Sequence, residues 1–500
     1  MAIRIKTLYS DLNKSVTALE NDASSILKSR AIVEKALEND EALYGINTGF
    51  GILANKRIDK SQLKQLQKNL ILSHSVGVGD LVPKAISRLM MQLKIHALGL
   101  GYSGISKETF DRLIFLLKQD LIPVIPEKGS LGASGDLAPL AHMALPLIGE
   151  GHFWNEAGDD ILPADEILKK HNIEPIHLQP KDGLALINGT QLMSAYGSFV
   201  LEKSVTLLKT ADLISAMSIE ALRGSKKPFD KRVHKVRPHQ GAQLTSQNIR
   251  RLLSDSEIMQ SHKNCGKVQD PYSLRCIPAV HGAARDALVH CTNTVETEIN
   301  SVTDNPLVFN NGDIISAGNF HGEPLAMALD YAKIALAEFA SIAERRTYLL
   351  LEGHDGLPKL LMEDAGINSG FMIPQYTSAA LVSENKVLCH PSSVDSIPSS
   401  LGQEDYVSMG SISALKLLQV YNNVEQVLAI ELLTAAQALD FRKPLKAGRG
   451  VETAHDFIRQ YISHSNVDHL LKEDIDQALE LVQNGDMIEK VEHELDSALM

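Results

Sequence analysis

The chain has 500 residues, 44% of them hydrophobic, and a formal net charge of −12 at pH 7; it is long enough to bury a large core and too acidic for a nucleic-acid or anionic-membrane partner. Its four cysteines, Cys265, Cys276, Cys291 and Cys389, form no CxxC pair and no dense framework, which points to a reducing compartment. The N-terminus is too charged for a signal sequence and no uninterrupted apolar stretch spans a bilayer, so a cytoplasmic location and no membrane contact are expected.

In chain order, Ile86, Leu89, Met90, Leu93 and Ala97 follow the i, i+3, i+4, i+7 rule behind Pro83 and predict an amphipathic helix. The stretch 191–222 has no proline and one glycine, Gly197, and predicts a much longer helix. The basic run from Lys226 to Arg237 reads as a solvated or interface loop, because Pro228 and Pro238 bound no periodic pattern. Further long helices are expected over 280–300, over 324–351 behind Pro324, and over 411–441, where Arg442-Lys443-Pro444 stops the pattern. Alanine-rich and apolar nearly all round, these helices fit a bundle centre or a buried position between subunits. Strand signals are short, at 307–309 and 314–315. The breaks at 41–54, 126–136, 182–191, 264–279, 302–322 and 391–410 collect glycine, proline and asparagine, and chemistry is expected there. The expected fold is mostly α, a long-helix bundle with a loop-rich N-terminal part, divided as 1–190, 191–450 and 451–500 within one interwoven unit.

The segment Gly129-Ser-Leu-Gly-Ala-Ser-Gly-Asp-Leu-Ala-Pro-Leu-Ala-His142 admits a plain reading, a glycine-rich turn into a helix with Ser134 or Asp136 as N-cap and Pro139 in the first turn. It lacks the GK[ST] of a phosphate loop. It also admits backbone chemistry. If the Gly135 amide nitrogen attacks the Ala133 carbonyl carbon, a five-membered ring closes across Ser134, and loss of two waters leaves an exocyclic methylidene. Small residues suit that step, since the backbone must fold onto itself.

This segment resembles the signature of the aromatic amino acid ammonia-lyases, whose methylidene-imidazolone group is made from Ala-Ser-Gly. The resemblance continues in family order through Tyr44-Gly-Ile-Asn-Thr-Gly-Phe-Gly51, Leu72-Ser-His-Ser-Val-Gly77, Gly183-Leu-Ala-Leu-Ile-Asn-Gly-Thr-Gln191, Gln269-Asp-Pro-Tyr-Ser-Leu-Arg-Cys276, Gly318-Asn-Phe-His321 and Gln403-Glu-Asp-Tyr-Val-Ser-Met-Gly410. It implies an elongated helical homotetramer with active sites shared between chains. Ala133, Ser134 and Gly135 would form the electrophile, with no metal and no diffusible cofactor; no HExxH or clustered His/Cys set appears.

The resemblance also implies roles for single residues. Tyr44 would be the base, and Tyr272 and Asn188 would hydrogen-bond the ring or substrate. Arg275 would clamp the substrate carboxylate, Phe320 would pack beside the ring, and Gln269 and Gln403 would orient polar groups. Each residue type also has an ordinary structural use, as a packed loop tyrosine, a buried turn asparagine, a surface ion pair, a core phenylalanine or exposed glutamines.

The match is nearest the branch that acts on histidine. There Glu404 would face the substrate imidazole and His74 would assist, and the reaction would release ammonia from L-histidine to leave trans-urocanate. Asp182, Gly322 and Tyr406 depart from that branch, where glutamate, alanine and histidine are common. A tyrosine ammonia-lyase or an aromatic 2,3-aminomutase would use the same electrophile. A fumarase-like lyase lacks its Gly-Ser-Ser loop here, and an inactive scaffold would have no use for the whole residue set.

Overall fold

In a computed structural model, which describes residues 2–38, 43–49, 56–263 and 266–500, the chain is mostly α-helical, with three two-stranded antiparallel sheets among the described residues. The repeat behind Pro83 forms the Lys84–Gly99 helix with Pro83 at its N-cap, where a missing N–H breaks no intrahelical bond. The periodicity implies one apolar face, yet every residue from Leu89 to Gly99 is buried. The polar members tolerate this because they are partnered. His96 Nδ1 lies 2.7 Å from Ser15 Oγ, Gln92 Nε2 donates to Asn13 Oδ1 at 3.0 Å, and Lys94 Nζ donates to the Asn188 carbonyl at 2.5 Å.

The long helices are Gln191–Ala221, Ile277–Ile299, Glu323–Leu351 and Gly410–Asp440, each within a few residues of its expected span. Leu307–Val308 pairs with Ile314–Ile315, as the short apolar signals suggested. Val78–Leu81 pairs with Pro126–Lys128, and His152–Trp154 with Ile161–Pro163. The first of these ladders had no legible alternation, since Val78, Gly79 and Asp80 are all exposed. The basic run is a correction. It forms a 3-10 turn, Lys227–Phe229, and a short helix, Lys231–Val236, because the Asp230 carboxylate accepts from the Arg232 N–H and caps the helix while Pro228 sits in the first turn of its own element. Cys276, Cys291 and Cys389 form no disulfide, and Cys265 lies outside the described residues.

The chain clusters into two compact units, one of Met1–Glu202, Cys291–Asp330 and Pro391–Leu417, the other of Lys203–His290, Tyr331–His390 and Leu418–Met500. In the first, the lone glycine of the Gln191–Ala221 helix is a point of close approach. A Cβ at Gly197 would lie 2.8 Å from Leu329 Cδ2 and 3.4 Å from Val295 Cγ2, so a larger residue would push two neighbouring helices away.

In the second unit, buried charges tie the helices together. Arg346 forks onto Glu431 at 2.6 and 2.8 Å, and Ser218 donates to the same carboxylate at 2.6 Å. Asp212 takes hydrogen bonds from His281, Arg285 and Asn248.

At the end of the Gly410–Asp440 helix, Asp440 accepts from Arg459 at 3.0 and 2.7 Å, from His464 at 2.9 Å and from Lys443 at 2.8 Å, with His455 Nε2 at 3.1 Å. Burial opposes its ionisation, but these donors outweigh burial and hold the carboxyl well below the usual carboxylate range. A folded-state pKa below the unfolded one gives stability that is present above about pH 4 and is lost as pH falls from there toward the folded pKa. Asp440→Asn is therefore expected to destabilise the protein by about 2 kcal/mol at neutral pH, with the gap from wild type narrowing below about pH 4. Thermal unfolding across a pH series checks this; a gap that is constant with pH would contradict it.

Candidate active site

Short backbone devices in the first unit gather several of the segments singled out by sequence. The Val78–Leu81 ladder pairs Val78 with Lys128, and the Gly77 N–H donates to His142 Nε2 at 3.0 Å. This sets the loop after the Leu63–His74 helix beside the glycine-rich segment. Gly135 and Gly189 form a parallel bridge, in which the Asp136 N–H donates to the Gly189 carbonyl at 2.7 Å. A Cβ at Gly135 would meet that carbonyl oxygen at 2.1 Å, so no side chain fits at 135. The Met409 N–H donates to the Leu131 carbonyl at 3.0 Å and Ser411 Oγ to the Ser130 carbonyl at 3.2 Å, which adds the 403–410 segment to the same place.

Within this frame the tripeptide is a tight turn. Gly132, Ser134 and Gly135 have φ of +87°, +49° and +80°, and the Gly135 N–H donates back to the Gly132 carbonyl at 3.2 Å. Serine resists the left-handed region, and persists in it where neighbours over-determine the backbone. Beside the turn, Asn188 is buried; its Nδ2 donates to the Asn305 carbonyl at 2.9 Å while its Oδ1 has no partner. A tight turn of small residues, with a serine hydroxyl at its centre and no room for a side chain at 135, is compatible with a methylidene-imidazolone. The residues present fit that group.

Asp136 precedes the Leu137–Ala144 helix but does not cap it with its side chain. The N-cap expectation is corrected on that point. Its Oδ2 instead accepts from the Leu192 and Met193 N–H groups at 2.9 and 3.1 Å, filling the unmet donors at the start of the Gln191–Ala221 helix. Ser134 caps neither helix. Burial pushes the Asp136 carboxyl up to about 7 and the Lys94 ammonium down to about 7, and Lys181 pairs with Asp304 at 2.8 Å in the same buried region.

Glu404 Oε1 lies 3.5 Å from Ser134 Oγ, and its Oε2 accepts from Ser399 Oγ at 3.0 Å. His74 is half-buried, with Nδ1 3.0 Å from Ser73 Oγ. Burial lowers its pKa, and the Leu70 carbonyl and the charge on Glu404 only partly oppose that, which favours the neutral imidazole.

Tyr44 opens a turn whose Ile46 packs with Val33 and Val308. Gly45 has φ of +69°, and a Cβ there would lie 2.2 Å from Leu184 Cδ2 and 3.4 Å from Pro306 Cδ. The turn thus rests on the Asp182–Ile187 helix that ends at Asn188. Phe50 and Gly51 of the same motif lie outside the described residues. Phe320 is half-buried in a loop held by Asn305, whose Oδ1 accepts from Ser316 Oγ and the Ala317 N–H. Gln403 is exposed.

Tyr272, Arg275 and Gln269 belong to the second unit. The Arg275 guanidinium sits 4.5 Å over the Tyr272 ring, and its Nε donates to the Asp270 carbonyl at 2.9 Å. Gln269 and Arg275 line a cavity of about 510 Å³ with Lys227, His234, Arg237 and His239. Tyr272 is 70% exposed.

The three departures have local explanations. Asp182 is buried and accepts from the Ser106 N–H, Ser106 Oγ, Thr109 Oγ1 and the Gln179 N–H. At Gly322 a Cβ would meet Met193 Cε at 2.6 Å, so alanine would require that thioether to move. The Tyr406 ring stacks on His321 with centroids 6.1 Å apart. Sequence reasoning passed over Lys94, although a lysine four residues after Met90 on an apolar stripe is a usable signal, and it passed over Ser399, which carries none. Among the described residues no group of three or more His, Cys, Asp or Glu side chains could hold a metal, and no helix is long and apolar enough to cross a membrane.

A braced Ala-Ser-Gly turn in a mostly helical chain is the pattern of a helical lyase that eliminates ammonia. The chain belongs to the aromatic amino acid lyase family, whose pattern matches residues 4–460. It is 52% identical over 473 residues to a histidine ammonia-lyase of Sorangium cellulosum, covering 93% of this chain and 92% of that one. With a histidine ammonia-lyase of Myxococcus xanthus it shares 48% over 482 residues, covering 96% and 94%. Among solved structures, histidine ammonia-lyase from Trypanosoma cruzi superposes with a TM-score of 0.87 at 40% identity over 94% of this chain and 89% of that one. A tyrosine aminomutase from Streptomyces globisporus superposes with a TM-score of 0.90 at 35% identity over the whole of both chains.

Proposed function

We propose that this protein removes ammonia from L-histidine to give trans-urocanate, as a cytoplasmic homotetramer whose active sites are shared between chains. The observation that carries the choice of substrate is the Glu404 carboxylate facing Ser134 Oγ at 3.5 Å. A half-buried carboxylate in that position favours a donor on the substrate ring, and imidazole supplies an N–H where phenylalanine has only carbon. The relatives named histidine ammonia-lyase, at 48–52% identity, favour the same choice.

Formed from Ala133-Ser134-Gly135, the methylidene-imidazolone supplies an electrophile that turns the amine into a workable leaving group. The chain's own residues do the rest. Tyr44 takes the β-hydrogen as general base. Asn188, through its unpaired Oδ1, steadies the turn and the substrate. Neutral His74 and Glu404 hold the imidazole, and Phe320 packs beside it while Gln403 orients the loop that bears Glu404. Arg275 clamps the substrate carboxylate in a bidentate fork, with Tyr272 and Gln269 beside it. An aromatic as exposed as Tyr272, at 70%, is supported by a place at another chain's site.

Glu404→Gln removes the charge and keeps the shape. Histidine kcat/KM is expected to fall about 10- to 100-fold, the worth of a charge-assisted hydrogen bond, with the melting temperature little changed. The likeness to a tyrosine aminomutase makes tyrosine the comparison substrate. Wild-type protein that consumes tyrosine faster than histidine would favour a tyrosine ammonia-lyase or an aromatic 2,3-aminomutase instead.

A further inference from the structure

The carboxylate of Glu404 is held by an unusual piece of backbone. Ser400, Leu401 and Gly402 follow one another with φ of +52°, +53° and +89°. Two of these are not glycine, and the left-handed region crowds the Cβ of each against its own backbone. A turn like this survives where its ends are tied, and the tie here is between Ser399 and Glu404. The Ser399 N–H donates to the Glu404 carbonyl at 2.9 Å, and the Glu404 N–H returns to the Ser399 carbonyl at 3.4 Å. The third bond, Ser399 Oγ to Glu404 Oε2 at 3.0 Å, leaves the backbone and reaches the side chain.

That third bond separates the two carboxylate oxygens. Oε2 is engaged by Ser399, so Oε1 is the oxygen turned toward Ser134 Oγ. A glutamate without such a partner samples its broad terminal rotation and offers neither oxygen in a fixed direction. We propose that Ser399 is a positioning residue for substrate choice: it fixes the rotation of the Glu404 carboxylate so that Oε1 is presented to the ring N–H of the substrate. The proposal rests on the reading of Glu404 as the imidazole acceptor. Ser399 touches neither substrate nor reacting atoms and acts only through Glu404.

The test is a double-mutant cycle on the full-length protein. Ser399→Ala, Ser399→Thr and Ser399→Cys are made in wild type, and Ser399→Ala also in Glu404→Gln. Intact mass first establishes that each variant has lost two waters, so that maturation is equal. In wild type, Ser399→Ala is expected to lower histidine kcat/KM on the order of tenfold, mainly through KM. Threonine, which keeps the hydroxyl, restores most of it. In Glu404→Gln the same alanine change costs about twofold or less, since the carboxylate it positions is gone.

Unchanged kinetics in Ser399→Ala overturn the proposal. So does an equal fold loss in both backgrounds, which marks a mere loop brace. Should the alanine protein not fold, cysteine, nearly the same shape with a poor donor, carries the comparison by the same criteria. Failure of the parent reading looks different: either wild type does not turn over histidine, or Glu404→Gln leaves its kinetics untouched, and either result removes the acceptor on which Ser399 acts.

Discussion

Ser134→Ala is expected to lower histidine turnover by about four orders of magnitude or more, the scale seen when a group that bonds covalently to substrate is deleted, while the helical fold stays intact. The hydroxyl is replaceable in the structure, since its hydrogen bond is a 3.5 Å contact to Glu404, at the weak end of hydrogen-bond geometry. The backbone at 134 is held from outside, by the Gly135–Gly189 bridge and the Met409–Leu131 hydrogen bond, so alanine keeps the turn. What it lacks is the oxygen whose departure, in the proposed cyclisation, creates the double bond. The variant should retain its full encoded mass and a wild-type circular dichroism spectrum. Substantial turnover by folded Ser134→Ala protein would refute the mechanism.

Tyr44→Phe is expected to lower kcat by about 10²- to 10⁴-fold, the range for a positioned general base, with KM changed far less. The turn is fixed by the rest of its motif. Ile46 packs on Val33 and Val308, the Leu43 N–H bonds to Asn47 Oδ1 at 2.7 Å, and Gly45 lies against Leu184. The change therefore removes an oxygen from an unmoved ring. A rise in KM with kcat preserved would mean that the tyrosine binds substrate and another group takes the proton. Steady-state kinetics on protein of known mature fraction separates the two outcomes.

The sequence carried most of the fold because its helices are long, alanine-rich and free of proline, so spans such as 191–222 were legible within a few residues. The Val78–Leu81 ladder was not, because its exposed Gly79 and Asp80 give no alternation. The basic run became helical through one capping carboxylate, Asp230, which a count of prolines overlooks. Around the candidate site, the tripeptide stood out by its chemistry and Glu404, His74 and Asn188 by the family resemblance, but the groups that brace them did not stand out. Asp136 reads as the cap of the helix it precedes, yet it caps a helix that begins 55 residues later, at Gln191. Ser399 gains meaning only once a strained turn folds it onto Glu404. Long-range pairing of this kind leaves no local pattern.

The central claim is that Ala133, Ser134 and Gly135 condense into the electrophile. Intact mass spectrometry of catalytically active protein tests it most directly. The expected mass is that of the encoded chain less two water molecules, with the deficit confined to the peptide containing the tripeptide. Active protein at the full encoded mass would contradict it.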